Sequence, residues 1–226
     1  MPLRAVVFDF DGVIANTEPL HLRSFQQVLG AEGIVVTEED YYDRYLGYDD
    51  AGTFRVVAAE RGWAWNERHI ADLVARKAVA MEALEGDVSV LFPGAADAVR
   101  RVAAAAPIAI ASGAIGPEIR RVLTRERLAH LFPAFVAAED TLNSKPCPDP
   151  SVRAVALLRE AVGGHLDACD CVAIEDSRWG LESARAAGLR TVAVAQSYNG
   201  STLNADLVIP TIAALDLHLF AELFSR

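Results

Sequence analysis

Short apolar runs alternate with amphipathic stretches along most of this 226-residue chain. The runs at 4–10, 108–111, 135–138, 171–174, 191–195 and 207–209 are apolar through most of their length, without a polar residue every second position. Strands covered on both faces have no solvent side to mark, so this pattern predicts a parallel sheet between two helical layers. Helices are predicted between the runs at 95–105, 117–127, 150–162 and 178–187. Asp149 ahead of Pro150 offers a cap and a first-turn proline, and Gly188 a stop. Strand and helix in alternation predict an α/β fold with a doubly wound parallel sheet, a Rossmann-like core.

Residues 16–87 break that rhythm. They contain no strand-like run and predict helices at 19–29, 38–45, 50–61 and 66–84. This block holds 14 acidic and 7 basic residues, a net of −7 within the chain's −10. The expected organisation is therefore a core of 1–15 and 88–226 interrupted by an inserted helical cap domain at 16–87. Trp63 and Trp65 are expected in the cap's own core. His69, His130, His165 and His218 are isolated and expected at surface or edge positions.

Composition narrows the possible functions. Hydrophobic residues make up 52% of the chain, enough to fill a sizeable core. A charge of −10 argues against nucleic acid or an anionic membrane as partner, since both need a basic face. The first apolar run is cut off at Asp9, and the longest, 103–111, contains Pro107 and is far short of a span. A soluble, cytoplasmic protein is expected. Cys147, Cys169 and Cys171 lack further ligands at metal-binding spacing and are expected as reduced, buried thiols.

Candidate chemistry clusters where the runs end. The first ends in Phe8-Asp9-Phe10-Asp11-Gly12-Val13, the second at Ser112-Gly113, and the fourth at Glu175-Asp176-Ser177. The loop after the third carries Ser144-Lys145-Pro146. Ligands bind outside the carboxyl ends of strands in an open parallel sheet, so these groups are expected on one edge. A plain polar turn ending at Gly12 is the bland reading of the first motif alone. The four together suit phosphoryl transfer. Asp9 is placed as nucleophile, and Asp11 as the acid that protonates the leaving alcohol and then the base that activates water. Mg2+ is the expected cofactor, held by Asp9, the Asp11 carbonyl and Asp176, with Glu175 at or just outside its ligands. Lys145 adds a second cation, and Ser112 with the Gly113 amide would donate to phosphoryl oxygens near a helix N-terminus.

The set Asp9-x-Asp11-Gly12-Val13, Ser112, Lys145-Pro and Glu175-Asp176-Ser177 resembles the four signature motifs of the haloacid dehalogenase superfamily. Lys145-Pro-Cys-Pro-Asp-Pro150, and Glu175-Asp-Ser-Arg-Trp-Gly180 followed by Ala186-Ala-Gly188, are similar to its β-phosphoglucomutase and phosphoglycolate phosphatase branch. The resemblance implies a helical cap after the first strand, and a phosphomonoester hydrolase acting on a small phosphorylated metabolite. It also implies that Glu18 and His21 face the site, although Thr17 and Pro19 equally read as ordinary capping of the first cap helix. Leu46-Gly47-Tyr48-Asp49-Asp50 resembles the specificity loop of such caps, and equally a turn in which Asp49 caps the next helix.

A phosphosugar mutase is the nearest alternative. Similar mutases carry a basic residue three positions after the cap glycine, where this chain has Asp50, and another three after the motif serine, where it has Ile115. Both departures remove charge that a second phosphate would need, so hydrolysis is expected. A non-catalytic binding module on the same fold is the alternative from another class. Nothing in the sequence calls for a partner chain, and a monomer is compatible with it.

Overall fold

A computed structural model describes residues 3–46, 48–86 and 89–225. Its residues group into two compact units, Met1–Asn16 with Val90–Arg226, and Thr17–Ser89.

The first unit is a six-stranded parallel sheet in the order β3-β2-β1-β4-β5-β6. Its strands are β1 (Ala5–Phe8), β2 (Ile108–Ala111), β3 (Ala134–Val136), β4 (Cys171–Glu175), β5 (Arg190–Val194) and β6 (Leu207–Ile209). The strand-by-strand pattern explains both layers. Val6, Phe8, Ile108, Ile110, Val172, Ile174, Val192 and Val194 form one cluster, with Val99, Ile119, Val122 and Phe220 of the covering helices. The intervening residues, mostly alanine, form a second cluster with Ala154, Leu158 and Ala184. Side chains alternate across a pleat, so each apolar run feeds both cores at once. The connections run outward from β1 to β2 and β3, then cross back to β4 beside β1. The point where the winding reverses lies between the ends of β1 and β4.

The second unit holds four α-helices among its described residues. They are α1 (Glu18–Ala31), α2 (Glu38–Asp40), α3 (Asp50–Glu60) and α4 (Glu67–Glu85). Thr37, Asp49 and Asn66 cap the last three through side-chain oxygens. Phe25, Leu29, Tyr41, Tyr45, Phe54, Val57, Ile70 and Leu73 form a core of their own. The expected helix at 38–45 is one α-turn followed by a π-turn, Tyr41–Tyr45, closed by Leu46 N–H on the Tyr41 carbonyl at 3.0 Å. Both end tyrosines are buried, with hydroxyls donating 2.7 Å bonds to Glu18 and Glu60. Packing thus sets the wide turn that propensity alone does not predict. No described helix is long and apolar enough to cross a membrane.

In the first unit, α5 (Ala95–Ala103), α6 (Gly116–Arg125), α7 (Asp149–Val162), α8 (Arg178–Ala186) and α9 (Leu217–Ser225) complete the chain. Several expectations shift. β1 ends at Phe8 rather than at 10: the Asp9 amide still bonds Ile174 O, but the Phe10 amide turns onto the Asp9 carboxylate. β3 starts and ends earlier than 135–138, because Asp140 draws the Ala137 amide into a 3₁₀ turn. Asp149 is the first residue of α7 rather than its cap; Pro148 holds that place and Asp149 accepts from Asn143 Nδ2 instead.

Two of the three expected buried thiols are exposed, Cys147 in a loop and Cys169 in a 3₁₀ turn ahead of β4. Cys171 alone is buried, and burial pushes its thiol up to about 12. Trp63 is 42% exposed, its ring stacked at an angle on the half-buried Trp65, so only Trp65 packs on the helical core. His130, His165 and His218 are exposed as expected, and His69 is half buried against Trp65.

Candidate active site

The carboxyl ends of β1 and β4 deliver three buried carboxylates, Asp9, Glu175 and Asp176, whose ligand oxygens lie within 4.8 Å of one another. Lys145, from the loop between β3 and α7, reaches between them. Its Nζ is 2.9 Å from Asp9 Oδ2 and 2.8 Å from Glu175 Oε1. Burial works to lower the Lys145 pKa, but the Asp9 and Glu175 charges outweigh it, so the value is raised and the ammonium stays protonated. Burial and the Asp9 charge push the Glu175 carboxyl well above the usual range, against the pull of Lys145. Asp9 and Glu175 share the one ammonium, and burial adds to their mutual repulsion at Glu175.

Local backbone makes room for this cluster. Gly12 sits at φ +76°, where a side chain is strained, and a Cβ there would overlap the Asp176 carboxylate. A Cβ on Gly180, in the first turn of α8, would overlap the Glu175 carboxylate. Asp11 lies in a tight turn whose amides are closed by Gly12 N–H to Ala15 O and by Ile14 and Ala15 N–H to Phe10 O, each 2.9 Å. The register Phe8↔Ile110 sets Asp9 beside the end of β2, with Ser112 one step further along.

Ser112 is buried and its Oγ accepts from the Ala114 amide at 3.1 Å, which leaves the hydroxyl proton for another acceptor. Gly113 beside it is exposed. The N-terminus of α6 already holds a carboxylate: the Gly116 amide donates to both oxygens of Glu139, at 3.0 and 3.2 Å. Sequence reasoning did not find Glu139, because a cap supplied from another loop leaves no local spacing signal.

The expected cap residues lie in the second unit. Glu18 accepts from Tyr41. The ring Nδ1 of His21 meets the ammonium of Lys77, which is 1% exposed and also 3.0 Å from Asp50 Oδ1. An ammonium can only donate, so Nδ1 is its acceptor. Tyr48 is exposed, and Gly47 falls outside the described residues. Asp50, which stands where similar mutases carry a basic residue, is paired with Lys77 within the helical unit. The signal for Lys77 was present in the sequence: it continues the buried stripe of Ile70, Leu73 and Met81 on α4, a place where a charged residue needs a partner.

The acidic cluster fits a hard divalent cation. Glu175 Oε2 is buried without a hydrogen-bond partner, and with all three carboxylates ionised they exceed Lys145 by two negative charges, which a bound cation would offset. All available donors are carboxylate oxygens, the ligand type Mg2+ takes.

The family model for haloacid dehalogenase-like hydrolases matches residues 6–194. Protein CbbY of Rhodobacter capsulatus is 32% identical over 99% of this chain and 100% of its own length. Fructose-1-phosphate phosphatase YqaB of Escherichia coli K12 is 30% identical, covering 84% of this chain and 95% of that protein. The solved CbbY of Rhodobacter sphaeroides bound to xylulose 1,5-bisphosphate superposes with a TM-score of 0.82 at 25% identity, over 94% and 96% of the two chains.

Proposed function

The chain belongs to the haloacid dehalogenase-like hydrolases, and from that premise we propose that it is a magnesium-dependent phosphomonoester hydrolase working through a phosphorylated Asp9. The observation that supports this most is Lys145 bridging Asp9 and Glu175 inside a cluster of three buried carboxylates. An ammonium there offsets repulsion between the Asp9 carboxylate and an incoming phosphate dianion. Asp9, Asp176 and Glu175 would hold Mg2+ together with the Asp11 carbonyl, and the ion would supply further charge neutralisation at the phosphoryl group.

An Asp9 carboxylate oxygen attacks phosphorus as the bond to the leaving oxygen breaks, and Asp11 passes its proton to that oxygen. Asp11 then takes a proton from water as the water oxygen attacks phosphorus, which frees Asp9 and releases inorganic phosphate. Ser112 Oγ–H and the Gly113 amide donate to the phosphoryl oxygens. Glu18, His21, Gly47 and Tyr48 are proposed to select the substrate, as the resemblance to capped members of the family implies.

A small sugar or polyol phosphate in the cytoplasm is the proposed substrate class, in keeping with the fructose-1-phosphate phosphatase among its relatives. A bisphosphate is a specific competitor, because a point variant of CbbY was solved with one bound and the Asp50 carboxylate is already paired with Lys77.

The deciding assay is release of phosphate from p-nitrophenyl phosphate, fructose 1-phosphate, xylulose 1,5-bisphosphate and β-glucose 1-phosphate with Mg2+. Chelator should abolish turnover, and Asp9→Asn should reduce it by about 10³-fold or more with an unchanged circular dichroism spectrum. Full activity in either case removes the mechanism. Glucose 6-phosphate forming faster than inorganic phosphate would make the chain a mutase.

A further inference from the structure

Gln196 lies two residues beyond β5, outside every motif that carries the proposed chemistry. Its side-chain amide nevertheless uses three of its four hydrogen-bonding positions on the loops around the site. Nε2 donates to the carbonyls of both Gly12 and Val13, each at 2.9 Å. Oε1 accepts from the Ile212 amide at 3.1 Å, in the turn that follows β6. Ser197 Oγ adds a longer bond, 3.3 Å, to Gly12 O.

The turn from Asp9 to Ala15 closes its inner hydrogen bonds on the carbonyls of Phe10 and Ala15. The carbonyls of Gly12 and Val13 are left to a side chain from elsewhere, and Val13 is fully buried. A buried carbonyl without a donor is unfavourable, so the turn stays in this conformation only while a donor is held opposite it. Gln196 is the donor at both carbonyls, with Ser197 a further, longer partner at Gly12 O, and its bond to Ile212 keeps the amide from rotating away.

We infer that Gln196 is a positioning residue for phosphoryl transfer, holding the turn that aims Asp11 at the leaving oxygen. The inference rests on the hydrolase reading above. A slip of the turn would move Asp11 while leaving Asp9 anchored by the β1–β4 ladder through its own amide. Proton donation should therefore suffer more than nucleophilic attack.

The split is read from leaving groups. A p-nitrophenolate departs with little help from an acid, whereas phenolate and p-methoxyphenolate need the proton more. The experiment measures kcat/KM with Mg2+ for p-nitrophenyl, phenyl and p-methoxyphenyl phosphate, in the wild type, Asp11→Asn and Gln196→Met. The methionine keeps the length and removes both donors. The expected result is a loss of about 3-fold on p-nitrophenyl phosphate growing to about 30-fold on p-methoxyphenyl phosphate, a weaker form of the Asp11→Asn pattern. A merely structural glutamine would lower all three esters equally, by lowering the amount of folded enzyme.

Should Gln196→Met not fold, Gln196→Asn, which keeps the amide but falls one methylene short, must show the same split in smaller form. Equal loss on all three esters, or none, in a folded variant overturns the inference while the active wild type leaves the hydrolase reading standing. A wild type inactive on every ester overturns both.

Discussion

Adding one methyl group at Gly180 tests the site's geometry against ordinary helix propensity. Gly180 lies in the first turn of α8, where glycine is a poor helix former, and alanine in an unconstrained helix would gain up to about 1 kcal/mol. The structure reverses the sign. The new Cβ would stand 2.6 Å from Glu175 Oε1 and overlap Oε2, where ordinary contact begins near 3.4 Å. Glu175 is 3% exposed and must withdraw by about 1 Å or more, out of reach of Lys145. Breaking a buried ion pair by disturbing one partner costs about 3–5 kcal/mol, and Asp9 remains to hold Lys145, so roughly half of that applies. After a full propensity gain is subtracted, Gly180→Ala should lose about 0.5–1.5 kcal/mol, or about 1–6 °C in melting temperature. Misplacing Lys145 by that distance should also lower kcat/KM by about 10²-fold. The matched control is Gly30→Ala near the end of α1, where a Cβ meets nothing within 4 Å and a gain of up to about 1 kcal/mol is expected. Thermal unfolding of both variants, alongside phosphatase assays, decides the matter. A Gly180→Ala protein as stable and as active as the wild type would refute the crowding at Glu175.

The Lys77–Asp50 pair should respond asymmetrically. Asp50→Ala strands a buried ammonium and is expected to destabilise the chain by about 2 kcal/mol in urea unfolding, discounted because Asp50 is 28% exposed. Lys77→Met leaves Asp50 able to meet water and should cost less; the reverse order would show that the pair does not neutralise Lys77. Iodoacetamide at pH 8 should label Cys147 and Cys169 but not Cys171 in the native protein, as read by mass spectrometry of peptides. Burial raises the Cys171 pKa, so its stabilising contribution is complete below the unfolded value near 8.5 and is lost as pH climbs from there toward 12. Cys171→Ala should flatten that part of the stability profile, and an unchanged slope would assign the loss to other groups.

Residue order alone determined the layers and most of the strands of this protein. Uninterrupted apolar runs separated by amphipathic stretches can be satisfied only by a sheet with two covered faces, and the alternation of Val, Ile or Phe with Ala shows how each strand serves both. The positions of Asp9, Lys145, Glu175 and Asp176 were legible because the rule that ligands gather at the carboxyl edge of a parallel sheet converts strand ends into neighbours. Partners that come from distant loops were not legible. Glu139 capping α6, Gln196 bracing Gly12 and Val13, and Asp50 neutralising Lys77 all depend on side-chain reach after folding, which no spacing encodes. Cys147, Cys169 and Trp63 are exposed for a related reason: composition records what a residue prefers, whereas burial is settled by where packing has room. Gly180 joins the two levels. Its place in the motif was visible along the chain, but only the folded structure puts the Glu175 carboxylate where a side chain would stand.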